Sequence, residues 1–314
     1  MTSPELPPVS DLPIYNTLMA NRSSALLSVA VSLKLFDSIE SNQCTTPQDL
    51  SRIHQFSLRG ADALLVGLKT LGLLESDTNI EDWYSTVYKL TILSKHYLLS
   101  SSDFYLGHLI NMDSESFLTP QGLLEALKKD KPQVYGQEDP WEHQDAQGNE
   151  AAAERVRFFE FQSHHKFTLG MRSISIAPAS AMSQQSILKS RQVLLDIGGG
   201  SGVHLAKMLS VHSNLKGIFY EIPSVFKTAT PYFESHGLLD RIDLVHGNMF
   251  KGSWPRHHSS GARVDTILLS QILHDWPLQK GDDLLKFAFE TLESGGMVVI
   301  HEKLLNESRS GKTL

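Results

Sequence analysis

Apolar positions follow two rhythms along the chain. Up to about residue 175 they recur at helical spacing, and from Arg191 onward they gather into short runs bounded by turn residues. The helical rhythm begins near Tyr15 and holds through Ala25-Leu26-Leu27, Val29-Ala30-Val31, Leu33, Leu35-Phe36 and Ile39. That stretch is too apolar on all sides for a solvent-facing helix, so it is expected to be buried, with a second subunit as one possible cover. Thr46-Pro47 then opens a short helix, a Thr cap ahead of Pro at the first position. Another helix is expected from Leu58 to Leu71, stopped by Gly72. Leu73-Leu74-Glu75 and Tyr88-Lys89-Leu90-Thr91 read as the two strands of a hairpin wing. Phe104 to Leu127 reads as a helical connector, Lys128 to Glu150 as a polar surface excursion, and Glu154 to Ser175 as a further helix.

In the second rhythm the strand-like runs are Val193–Ile197, Gly217–Tyr220, Ile242–His246, Thr266–Leu269 and Val298–Ile300, with helical segments between. Such alternation is the signature of βαβ units and a parallel sheet. The expected fold is therefore α/β: a helical, winged-helix N-terminal domain followed by a Rossmann-like doubly wound domain. The boundaries read as a leader over 1–13, a winged-helix domain over 14–105, a helical connector with pocket helices over 106–190, and the α/β domain over 191–314.

Helix, turn, helix and wing also form a DNA-binding pattern. Residues 1–105 carry 7 Lys+Arg against 11 Asp+Glu, however, and the second helix offers only Arg59 and Lys69. Phosphate contacts dominate nucleic-acid affinity, so a net-acidic module points to a structural or dimerising role instead. The whole chain of 314 residues has a net charge of −7, which gives no general pull toward nucleic acid or an anionic membrane. No run approaches the ~18 apolar residues of a membrane span, and the N-terminus does not resemble a signal peptide. A lone cysteine, Cys44, excludes an internal disulfide or a thiolate metal cluster and fits a reducing, cytoplasmic compartment.

In open α/β sheets, ligands bind beyond the carboxyl ends of the strands. Four groups occupy those ends here: Asp196 with Gly198, Gly199 and Gly200; Glu221; Gly247 with Asn248, Met249 and Phe250; and Ser270 through Trp276. The glycines allow close approach of a ligand, and an acidic residue about twenty positions on can grip a ribose, so the pair indicates a nucleoside cofactor. No Lys or Arg lies between Asp196 and Leu205, which makes a phosphate-free cofactor with a cationic end at least as compatible as a dinucleotide. On the glycine turn and Glu221 alone, a nicotinamide-dependent oxidoreductase stays open.

Leu268-Leu269-Ser270-Gln271-Ile272-Leu273-His274-Asp275-Trp276, with the glycine turn and Gly247-Asn248-Met249-Phe250, resembles the S-adenosylmethionine-dependent O-methyltransferase family that includes caffeate and acetylserotonin O-methyltransferases. Thr46 to Leu50, Leu68 to Leu74 and Tyr88 to Thr91 resemble that family's dimerisation domain. The resemblance implies a homodimer joined through the N-terminal domain, S-adenosyl-L-methionine as cofactor, and a small hydroxylated, phenolic substrate. It implies His274 as general base with Glu302 as a flanking acid, Glu221 on the ribose, Asn248 and Met249 around adenine, and Phe161 and His164 in the substrate pocket.

Asn248 stands where the family has Asp, and Ser270 where some relatives have a basic residue. The family also continues through a helical segment and two further strands beyond the position of Leu314. The α/β domain is therefore expected to lack its last strands and to leave Val298–Ile300 as an edge, with an inactive relative acting through a full-length partner as the second reading. Asp275 and Trp276 are expected to be structural, as a turn carboxylate and a packing ring.

Overall fold

The computed structural model describes residues 9–77, 82–115, 119–129, 150–251, 253–304 and 307, and the side chains of these except 115 and 150–164. The chain divides into two units, Met1–Gln147 and Gly148–Leu314.

The first unit is built from α1 (Leu12–Ser32), α2 (Leu35–Asn42), α3 (Pro47–His54), α4 (Leu58–Thr70), the hairpin β1 (Leu74–Asp77) and β2 (Val87–Leu90), then α5 (Ile92–Tyr97), α6 (Gly107–Glu115) and α7 (Pro120–Lys129). Caps set these boundaries. Thr46 Oγ1 accepts the amide of Asp49 at 3.2 Å and donates to the Asp49 carboxylate at 2.8 Å, so α3 starts where Thr precedes Pro. Ser57 caps α4 through the amide of Gly60, and Gly72, at φ +72°, turns the chain into the hairpin, whose register pairs Leu74 with Leu90. Phe36, Ile39, Leu50, Leu65 and Leu68 are fully buried together.

Three expectations change here. The helix read from Tyr15 to Ile39 begins at Leu12, inside the expected leader, and is two helices, because Lys34 adopts a left-handed φ of 52°. In the single chain α1 buries only Ala30 and Val31, while Leu12, Ile14, Tyr15 and Leu18 are each more than half exposed. Thr91, read as a strand residue, instead caps α5: its hydroxyl accepts the amide of Ser94 and donates to the carbonyl of Gly72. The helical connector consists of α6 and α7. Residues 1–8 of the leader and 130–149 of the surface excursion lie outside the described residues.

The second unit opens with α8 (Glu150–Ser183), longer than its periodicity indicated because the helix passes through Pro178. There follow β3 (Val193–Ile197), α9 (Val203–Val211), β4 (Lys216–Glu221), α10 (Pro223–Ser235), β5 (Ile242–His246), β6 (Thr266–Ser270), α11 (Leu278–Thr291) and β7 (Met297–His301). The strands form one parallel sheet in the order β5-β4-β3-β6-β7. All of β3 is buried. Its Leu194 joins Leu205, Phe219 and Phe233 on the α9 and α10 side, while Leu195 and Ile197 join Leu284 and Ala288 on the α11 side. Two apolar cores on opposite faces are what a doubly wound sheet requires. β7 pairs with β6 and, among the described residues, is one edge of the sheet.

Two polar anchors fix the frame. The Asp265 carboxylate, buried at the start of β6, accepts the amides of Gln192 and Val193 at 2.7 and 3.3 Å and so aligns β6 with β3. The Arg241 guanidinium donates to the carbonyls of Leu209, His212, Ser213 and Leu215 at 2.7 to 3.2 Å, collecting the acceptors left open at the C-terminus of α9.

Candidate active site

The carboxyl ends of β3, β4, β5, β6 and β7 carry the residues singled out from the sequence, and the structure ties most of them to one another. The turn after β3 is left-handed at Gly198 and Gly200, with φ of +62° and +55°. A Cβ at Gly198 would meet Ile272 Cδ1 at 2.7 Å, and at Gly199 the Asp196 carboxylate at 2.7 Å, so neither position has room for a side chain. At Gly200 the nearest atom is 4.0 Å away. The Glu221 carboxylate accepts the amide of Gly200 at 3.0 Å and that of Ile222 at 2.8 Å. Burial raises its pKa against the opposing pull of those two amides.

Asp196 lies beneath the turn, 1% exposed, and its Oδ2 is buried without a hydrogen-bond partner. Burial first, and then the charge of Glu221, pushes Asp196 up to about 8.

The third loop is held by its own polar groups. Tyr220 Oη donates to the carbonyl of Asn248 at 3.2 Å, Asn248 Oδ1 accepts the amide of Phe250 at 2.9 Å, and Trp254 Nε1 donates to the carbonyl of Met249 at 3.0 Å. The Asn248 oxygen thus already has one donor within its own loop. Phe250 meets the Trp276 ring edge-on at 4.6 Å, and the Lys280 ammonium lies over both rings, which joins this loop to the one after β6.

Ser270 does not stand alone at the end of β6. Its hydroxyl lies 2.9 Å from His301 Nδ1 and 3.4 Å from His204 Nε2, and the two imidazoles are 5.3 Å apart. Burial, with His301 adding to it, lowers His204 to about 4.

Past Ser270, Gln271 takes a left-handed φ of 55°, uncommon for a residue with a side chain, and its amide donates to the carbonyl of His301 at 2.9 Å. Glu302 completes the group. Its Oε1 accepts the amides of Ile272 and Leu273 at 2.9 and 2.8 Å, and its Oε2 takes His274 Nδ1 at 2.5 Å. Burial raises Glu302, but the bond from His274 and the two amides outweigh it, so its pKa sits below the ordinary value. The Glu302 side chain is 8% exposed and that of His274 50%, so a half-exposed ring is held by a nearly buried carboxylate. At the other ring nitrogen, Asp275 Oδ1 lies 3.2 Å from His274 Nε2. Asp275, expected to be a turn carboxylate, therefore faces the ring directly. Its pKa is raised by burial, with His274 opposing and Glu302 adding.

Sequence reasoning placed Gln271 and Asp275 at this strand end, Asp275 as a structural turn carboxylate, but missed His204 and His301 as parts of this group. His301 carried one usable signal, standing beside Glu302 at a strand end. Phe161 and His164 lie on α8, but their side chains are outside the described residues.

With this geometry in view, the comparisons are decisive for family. A model of the O-methyltransferase domain matches residues 123–314, and a model of the O-methyltransferase dimerisation domain matches residues 15–100. The chain belongs to the O-methyltransferase family. Its relatives include a 3-hydroxy-5-methyl-1-naphthoate 3-O-methyltransferase of Streptomyces sahachiroi, 27% identical over 97% of this chain and 81% of that protein. Human acetylserotonin O-methyltransferase is 32% identical over 39% of this chain, a stretch that spans 33% of that protein. Among solved structures, human N-acetylserotonin methyltransferase in complex with SAM has the same fold, with a TM-score of 0.76 and 22% identity over 98% of this chain and 84% of that one. As an O-methyltransferase the chain is an enzyme that moves methyl groups onto small molecules. None of its described helices is long and apolar enough to cross a membrane.

Proposed function

We propose that this O-methyltransferase takes S-adenosyl-L-methionine as methyl donor and a small phenolic hydroxyl as acceptor, with His274 as the general base. The cofactor suits the residues present. The buried, unpartnered oxygen of Asp196 favours a ligand with a positive or hydrogen-donating group, and the glycine turn admits a ligand to backbone distance. The absence of any Lys or Arg from Asp196 to Leu205 argues against a pyrophosphate there. When bound, the cofactor supplies a methyl group on positively charged sulfur. Glu221 would hold the ribose, with Asn248 and Met249 around the adenine and Phe250 behind them.

The observation that carries the reading is the contact between His274 Nδ1 and Glu302 Oε2. A carboxylate at Nδ1 holds the proton on that nitrogen and leaves the lone pair on Nε2, the nitrogen that Asp275 Oδ1 faces at 3.2 Å in this structure. A phenol with an ordinary pKa of ~10 is mostly protonated at neutral pH, so a base at this position is needed to take its proton as the oxygen attacks. Glu302 stabilises the imidazolium that forms, and its two amide donors keep it from following the ring. The acceptor oxygen must occupy the place at Nε2 where Asp275 now stands. Phe161 and His164 on α8 are proposed for the acceptor pocket, and the homodimer is proposed to form through the N-terminal domain, in keeping with the dimerisation model that matches it.

Calorimetric titration with S-adenosylhomocysteine, together with methyl transfer to a panel of hydroxylated aromatics, tests this. Binding that is lost in a folded Gly200→Trp variant, and transfer that falls about 10²–10⁴-fold in His274→Gln while binding persists, are expected. A His274→Gln variant as active as the parent would remove the base. Binding without transfer to any acceptor would favour the second reading, an inactive relative working through a partner.

A further inference from the structure

Asp196 and Glu221 approach the same glycine turn from below. The Glu221 carboxylate is bonded to the amide of Gly200, and the Asp196 carboxyl lies against Gly199, the adjacent residue, where a Cβ would stand 2.7 Å from its Oδ2. We propose that in the ligand-free protein these two carboxyl groups hold one proton between them, and that entry of a cationic cofactor expels it, so that cofactor binding is linked to proton release. The inference rests on the cofactor reading given above.

The surroundings of Asp196 give it no other means of carrying charge. Its strand neighbours in register are Phe219 on β4 and Leu268 on β6, both fully buried. On α9, His204 is held neutral at physiological pH, depressed to about 4 by burial and by His301. The charge that acts on Asp196 is that of Glu221, and it is of the same sign. Glu221 has two amide donors, whereas Asp196 Oδ2 has none, so Glu221 is the better seat for the single negative charge and Asp196 for the proton. Burial and Glu221 together place Asp196 at about 8, which keeps the proton on at neutral pH.

The direction of the linkage follows from burial. A ligand shifts a carboxyl group upward by removing water and downward by bringing positive charge. Asp196 is already out of water before any ligand arrives, so further desolvation of it adds little and the attraction of a cation prevails. The O–H bond of the Asp196 carboxyl breaks, its electron pair stays on the carboxylate, and the proton passes to the buffer. One consequence is that the crevice would meet a cation with two negative charges although it is stable with only one.

Titration calorimetry with S-adenosyl-L-methionine, which carries the sulfonium charge, at pH 7 without acceptor, in buffers of low and high ionisation enthalpy, measures the protons released. The expected result is an enthalpy that changes with the buffer, corresponding to release approaching one proton per site, and a release that fades as the pH is raised well above 8. In Asp196→Asn the buffer dependence should vanish while binding remains measurable. Wild-type binding with a buffer-independent enthalpy, or with proton uptake, overturns the linkage and leaves the cofactor assignment standing. An unchanged buffer dependence in Asp196→Asn also overturns it. Should the variant not fold, the fading of wild-type release above pH 8 still decides, because a release constant from pH 7 to 9.5 would come from another group. No binding under any condition overturns the cofactor assignment itself, and this inference with it.

Discussion

Glu302 bonds to three donors, and each restrains the others. Two backbone amides fix its position and the third, His274 Nδ1, is fixed in turn, so the carboxylate transmits the rigidity of the strand end to a ring that is half exposed. Replacing it with the isosteric amide keeps the shape but removes the charge that holds the proton on Nδ1. In Glu302→Gln, kcat is expected to fall on the order of 10²-fold. Affinity for S-adenosylhomocysteine should be unchanged, and steady-state kinetics beside calorimetry separate the two. The buried titratable groups also predict how stability responds to pH. His204 drops from 6.5 to about 4 on folding, so between those values the unfolded chain binds more protons and stability is lost as the pH falls. Asp196 acts in the opposite sense: the folded state keeps its proton up to about 8, against an ordinary 3.8, and stability declines as the pH rises through that interval. Thermal unfolding from pH 4 to 9 should show the acid loss reduced in His204→Gln and the alkaline loss reduced in Asp196→Asn. Of these residues, the glycines, Glu221 and His274 were placed by their position at the ends of apolar runs, whereas Glu302, and the base role of His274, came only from the resemblance to the family. His204 and His301 gain their meaning from partners on other elements, which linear spacing does not reveal.

The same contrast holds for whole elements. The inner strands β3, β4 and β6 were legible because a strand covered on both faces reads as a nearly unbroken apolar run, and β3 is buried throughout. The division of α1 from α2 was not legible, because it depends on Lys34 taking a left-handed conformation that its residue type does not favour. Thr91 was ambiguous for another reason. A β-branched residue after Tyr88-Lys89-Leu90 suits a strand, yet its hydroxyl is committed to capping α5 and to the carbonyl of Gly72. Removing that hydroxyl in Thr91→Ala should destabilise the protein by about 1 kcal/mol, read from the midpoint of urea unfolding.

At the scale of the molecule, α1 offers Leu12, Ile14, Tyr15 and Leu18 to solvent, on the unit that matches an O-methyltransferase dimerisation domain. Apolar exposure of that density marks an interaction surface. A charge there should oppose association: Leu18→Asp is expected to shift the sedimentation coefficient from that of a dimer to that of a monomer, with the circular dichroism spectrum retained. Arg241 has a different reach. It grips the C-terminal end of α9, whose nine residues span ~13 Å, and the opposite end of that helix is the glycine turn. A helix clamped at one end behaves as a lever, and a small rotation about the clamp becomes a displacement at the tip. Lysine would keep the charge of Arg241 but lose the fork that reaches four carbonyls. The two ends of α9 are thus held by opposite charges, a guanidinium on the carbonyls at one end and the Glu221 carboxylate on the amide of Gly200 in the turn at the other.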